Sequence, residues 1–152
     1  MKIALASALT LALSLGLQPA MASVADEGTP VFRTVGASTF ADQMTVCSFT
    51  VMATAKAMLP KSTTRPVRET TEEIARAAFS EAVMAHDLGG DLSNVGYEKW
   101  GSRVDRLSSK DSMDLFLFCL TTGDGLYKKM PSKDQERVRS LTEVFLRASA
   151  KR

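Results

Sequence analysis

The sequence is poor in the side chains that most chemistry requires. Its 152 residues hold one histidine, two cysteines, one tryptophan and two tyrosines. Zinc sites draw on several Cys or His ligands, and His86 with the distant Cys47 and Cys119 does not supply a set. A serine triad would have to use His86. Neither a G-x-S-x-G elbow nor a glycine-rich phosphate loop is present. The formal net charge is only +2 and aromatics are 7% of the chain. That leaves no strongly basic surface and no stacking platform of the kind nucleic-acid binding calls for. No stretch keeps the two-residue alternation of an exposed strand. Repeats and low-complexity blocks are absent as well.

One apolar run does stand out, at the start. Lys2 precedes Ile3 to Leu17, a charge-free run of about 15 residues, short of the roughly 20 that a membrane span needs. Gln18-Pro19 breaks it and Ala20-Met21-Ala22 has the small-residue form of a cleavage site. These three parts predict a secretory signal peptide over residues 1–22 and a periplasmic address, with no stable membrane insertion after cleavage. Residues 23–37, punctuated by Gly28, Pro30 and Gly36, predict an irregular lead-in. Residues 38–152 then suffice for one compact domain with a single core.

Export changes the meaning of the two cysteines. In an oxidising compartment a pair is expected as a disulfide. Joining Cys47 to Cys119 closes a loop of about 72 residues, which stabilises a fold by about 4 kcal/mol in the chain-entropy view. Helical spacing places both cysteines inward. Phe40, Met44, Cys47, Val51, Thr54 and Met58 step by four and three from a cap at Ser38 or Thr39, and Val46, Phe49 and Ala53 widen that face. Leu59-Pro60 ends this helix and Lys61 to Arg68 reads as a connection.

Thr70 to Glu73 fits a capping box for a second helix, whose stripe is Ile74, Ala77, Ala78, Glu81, Ala82, Ala85 and Leu88, stopped by Gly89-Gly90. Tyr97, Trp100, Val104 and Leu107 share a face of a shorter third segment. Ser108 or Ser109 starts a fourth helix, nearly all apolar from Met113 to Leu120 and ended or bent at Gly123. A last helix is expected from Ser132 as cap, with Gln135 as its partner and Val138, Leu141, Phe145 and Ala148 as its inward stripe. The fold class is therefore all-α: a bundle of four to five helices, with one disulfide joining the first long helix and the fourth.

Reactive roles find little support. Cys119 lies in Leu115-Phe116-Leu117-Phe118, and apolar burial makes a thiol inert. Asp87 to Glu98 has Asp at positions 1 and 5 and Glu at 12, as a calcium loop would. Gly89, Leu92 and Val95 then fail positions 3, 6 and 9. Glu72-Glu73 and Asp111 with Asp114 fall in first turns of helices, where the dipole favours acids. The methionines read as adaptable core filling. No catalytic residue, metal ligand or cofactor is assigned. Tyr97 and Trp100, beside the acidic loop that carries Asp87 and Asp91, are the candidate partner-binding residues, because such aromatics are enriched in binding hot spots.

Two segments carry a resemblance, FADQMTVCSFTVMA around Cys47 and MDLFLFCL around Cys119. They resemble those of the small periplasmic immunity proteins of type VI secretion systems. Members that oppose an amidase effector have a comparable first-helix cysteine and a late F-x-x-C-L-like segment; here Phe116 to Leu120 reads F-L-F-C-L. The resemblance implies a helical exported protein that blocks a secreted toxin, and it carries no effector-blocking loop onto residues of this chain. The periplasmic acid-stress chaperones are shorter, with closer cysteines. The expected function is a non-enzymatic exported protein that binds another protein, in an immunity or inhibitor role. The alternatives are a structural or accessory subunit of a cell-envelope secretion machine, or a small hydrolase or ligand carrier that uses His86 with Asp87 or Asp91; among partners, a second copy of the chain in a homodimer stays open.

Overall fold

The computed structural model describes residues 29–149. The signal peptide expected over residues 1–22 lies outside the described residues. Among the described residues six α-helices follow one another: α1 (Thr29–Val35), α2 (Phe40–Met58), α3 (Arg65–Asp87), α4 (Asn94–Val104), α5 (Ser109–Lys129) and α6 (Ser132–Ser149). A single 3-10 turn, Leu59–Lys61, follows α2. The fold is all-α, with no strand among the described residues. It has one helix more than the four to five expected, so the disulfide joins α2 to α5.

The extra helix is α1, inside the segment read as an irregular lead-in. It is held from a distance. Phe32 is buried and meets the Phe118 ring edge-on at 5.5 Å. Arg103, in α4, donates to the Val35 carbonyl at 3.0 Å and so closes the helix end. Gly36 then turns the chain at φ +75°, where a side chain is strained and where a Cβ would stand 2.8 Å from the Arg103 guanidinium.

Helix α2 runs through the centre. Thr39 caps it by accepting from the Asp42 N–H at 3.1 Å, and six successive residues, Gln43 to Ser48, are buried. Helix α3 begins five residues before the expected capping box. Pro66 sits in its first turn, where a missing N–H costs nothing. Thr70 is already inside the helix and donates its hydroxyl to the Pro66 carbonyl. The expected stop is present: Gly89 takes φ +78° and the Gly90 N–H returns to the Ala85 carbonyl.

Two expectations for the C-terminal half need correction. The apolar run from Met113 to Leu120 predicts burial of α5 on most sides, and the helix is not so buried. Its inward stripe is Leu115, Cys119 and Gly123, while Met113 and Leu117 are more than half exposed. Nor does Gly123 end it, since the helix continues to Lys129. The glycine serves close approach instead. A Cβ there would fall 2.6 Å from the Ala77 carbonyl oxygen and 2.8 Å from the Ala77 Cβ, so α5 lies against α3 with almost nothing between the backbones. In α6, Ser132 is the first helical residue, and the Gln135 amide reaches the Tyr127 carbonyl at the end of α5. The inner stripe runs through Val138 and Thr142; Leu141 and Ala148 face water.

Helix α3 packs against α2, α5 and α6, and α2 packs against α4 and α5. The main core gathers Phe32, Met44, Val46, Val51, Ile74, Trp100 and Leu115 around the disulfide.

Two glycines two residues apart test the contact between α3 and α5. Gly123→Ala should lose about 1–3 kcal/mol through overpacking, whereas Gly125→Ala, with nothing within 4 Å of its Cβ, should gain about 0.5–1 kcal/mol as a glycine removed from a helix interior. Urea unfolding of both variants gives the two signs. In the same assay the double variant Cys47→Ala/Cys119→Ala should be about 2–4 kcal/mol less stable than the oxidised parent.

Candidate functional site

A groove of about 800 Å³ lies between α2 and α4, with one residue each from α3 and α6 in its lining. Helix α2 contributes Phe49, Met52, Ala53 and Lys56. Helix α4 contributes Asn94, Tyr97, Glu98, Gly101, Ser102 and Asp105 from its face and end, and Phe79 and Phe145 complete the wall. Local sequence explains the shape. On α4, positions 94, 97, 98, 101 and 105 recur by three and four, so they share one face. Gly101 leaves room for the Phe49 ring, which a Cβ would meet at 2.9 Å. The Phe49 and Tyr97 rings stand 5.9 Å apart, and Phe79 meets Phe145 edge-on at 6.1 Å. The walls are thus aromatic, and Lys56, Glu98 and Asp105 supply charge at the rim. These three make no ion pair among the described residues.

The residues singled out from sequence separate in space. Tyr97 is half-buried and lines the groove. Trp100 does not, being 1% exposed in the core. Lys99 and Arg103 lie over its ring at 4.2 and 5.1 Å, so the indole anchors α4 to the protein rather than to a partner. Asp87 is exposed and away from the groove, 3.1 Å from His86 Nδ1 and 3.7 Å from Arg137. Asp91 is committed to its own loop. It accepts from the Ser93 N–H at 2.9 Å while Ser93 accepts from the Gly96 N–H, capping α4. The Ser93 hydroxyl and N–H together hold the Asp91 carboxyl below its ordinary range. In the loop tested for calcium, the Asp91 and Ser93 oxygens are thereby used in local turns.

A second cluster is fully enclosed. Cys47 and Cys119 form the expected disulfide, with Cα atoms 5.0 Å apart. Beside it stands Glu81 of α3, wholly buried, with neither carboxylate oxygen hydrogen-bonded. A Glu81 oxygen and both sulfurs lie within 4.8 Å of one another. Desolvation pushes the Glu81 carboxyl well above its usual range, so the neutral acid is favoured there. The sequence does carry a signal for this residue, because Glu81 falls on the alanine stripe of α3 at helical spacing. An acid at a core position needs a reason. The groove had no comparable signal, since Phe49 and Phe145 read as ordinary apolar face.

The sign of the pH effect follows. An acid whose folded-state pKa is raised above its unfolded one by desolvation adds no ionisation penalty below the unfolded value, about 4.3. Above it, stability falls by about 1.4 kcal/mol per pH unit until the folded-state value is reached. The oxidised protein should therefore be more stable near pH 5 than near pH 8, and Glu81→Gln should flatten the dependence. Urea unfolding across that range checks it; an unchanged slope in the variant would assign the effect to another group.

Set against known proteins, no protein-family model, no curated protein and no solved structure matches the chain.

Proposed function

We propose that this protein is an exported, non-enzymatic helical domain that binds another protein through the groove between α2 and α4, in an immunity or inhibitor role. The observation that carries the reading is the groove itself: aromatic walls with an unpaired charged rim on a disulfide-stapled scaffold. Binding energy concentrates in buried aromatic anchors surrounded by groups that exclude water, and Phe49, Tyr97 and Phe145 offer such a floor. The occupant that fits is a segment with apolar anchors at helical spacing, bearing a basic residue opposite Glu98 and Asp105 and an acidic one opposite Lys56. The disulfide supports an oxidising address. The single histidine supports a binding role over a hydrolytic one, since His86 is exposed beside Asp87 and outside the groove.

A photo-crosslinking residue at Asp105 should capture a partner in the cell envelope, while one at the exposed Val95 should not. With that partner purified, Tyr97→Ala should weaken binding about tenfold or more, a loss of about 1.4 kcal/mol or greater. Deletion of the gene should leave cells sensitive to neighbours that deliver the matching toxin, and Tyr97→Ala should restore protection only in part. Cells that stay insensitive, together with a partner that binds Tyr97→Ala as tightly as the parent, would defeat the proposal.

A further inference from the structure

The cluster at Glu81 bears on a different property, metal binding. Three ligand atoms of types that bind zinc converge in one place: the sulfurs of Cys47 and Cys119 and a carboxylate oxygen of Glu81. They come from three helices, α2, α5 and α3. All three residues are fully buried. In the disulfide state the carboxyl group makes no hydrogen bond through either oxygen, and a buried polar group left unpartnered costs about 1–3 kcal/mol. A carboxyl at the centre of an alanine-rich interface therefore does nothing for the oxidised fold that an apolar side chain would not do better.

In the reduced chain the same position gains a use. We propose that Cys47 Sγ, Cys119 Sγ and a Glu81 oxygen form a zinc-type divalent-cation site in the reduced protein, and that formation of the disulfide dismantles it. Zinc takes thiolate at about 2.3 Å and carboxylate at about 2.0–2.2 Å, nearly always in tetrahedral array. Ligand atoms around such an ion stand about 3.5–4 Å apart, against the 4.8 Å within which these three already lie. The sulfurs must part from bonding distance, by rotation about the cysteine side chains. Three protein ligands leave one position for water.

The chemistry balances. Zn²⁺ entering the reduced site displaces two thiol protons and the Glu81 carboxyl proton, giving a site of net charge −1. A disulfide oxidant then takes two electrons from the two thiolates and leaves as a dithiol. Cys47 and Cys119 bond to each other, Glu81 recovers its proton, and Zn²⁺ departs. The oxidant's two sulfurs and the Glu81 carboxylate take up three protons in all. Newly made chain, still carrying thiols, is the form that would hold the ion.

The experiment uses protein prepared with both thiols reduced by a phosphine and with metal removed, titrated with Co²⁺ alone. The expected result is one equivalent bound, with visible bands of tetrahedral cobalt and a thiolate-to-cobalt charge-transfer band. Zn²⁺ should displace the cobalt, and a disulfide oxidant should abolish the bands. Glu81→Gln should weaken the affinity about tenfold or more and shift the visible bands, as expected when a metal ligand is lost. Cys119→Ser should remove most of the charge-transfer intensity. Circular dichroism runs in parallel: a reduced chain that is unfolded and regains helix on adding Zn²⁺ also supports the site. A folded reduced protein with two titratable thiols and no cobalt bands overturns it. So does a reduced chain that stays unfolded with zinc, or a Glu81→Gln variant with unchanged affinity and spectrum.

Discussion

The fold depends on how closely α5 can approach α3. Ala77 and Gly123 touch through backbone atoms, with no room for a methyl group at position 123. A larger residue on either side would lift α5 away, and Cys119, one helical turn before Gly123, would move with it. The disulfide to α2 requires Cα atoms about 4.4–6.8 Å apart, and the observed 5.0 Å lies within that window. The glycine thus sets the distance at which the two cysteines can meet. The alanines of α3, Ala75, Ala77, Ala78 and Ala85, are buried for the same reason: small side chains let this helix contact α2, α5 and α6 together.

Thin packing has a consequence for Glu81. Between helices this close, a long acid on the inner face of α3 is buried without gaining a protein donor. Its carboxyl is pushed toward the neutral form by that desolvation. The disulfide beside it is equally enclosed, with both sulfurs in residues of no measurable exposure. A bond so placed is slow to meet an outside thiolate, because exchange requires access to sulfur. The staple is therefore set when the chain is oxidised, and the fold then protects it.

Much of this was legible in the sequence, where the signal was local. The run from Phe40 to Met58, the glycine stop after α3 and the Ser108 cap are written in adjacent residues and appear as read. The pairing of Cys47 with Cys119 followed from helical phase and from the expected compartment. What escaped was long-range. Helix α1 forms because Phe118 and Arg103 wait for it, and no period within seven residues announces that. Gly123 read as a stop because glycine usually ends helices; here a neighbour's backbone overrides its propensity cost. Tyr97 and Trp100 sit three apart on one helix, yet the fold turns one to the groove and the other to the core. Spacing alone could not separate them, since the dividing line is drawn by α2.

Helix α2 also connects the two sites. Phe49 and Met52 follow Cys47 by two and five residues, so the groove wall and the staple share one rigid element. The disulfide holds α2 against α5, while Gly101 seats the Phe49 ring and holds α2 against α4. Any rotation of α2 that changed the sulfur geometry would swing Phe49 and Met52 across the groove. Closing the disulfide removes that freedom, and a surface fixed before it meets its partner loses less entropy on binding. Oxidation thus does more than stabilise the chain: it fixes the register of the one helix that carries both the core bond and the groove's aromatic wall.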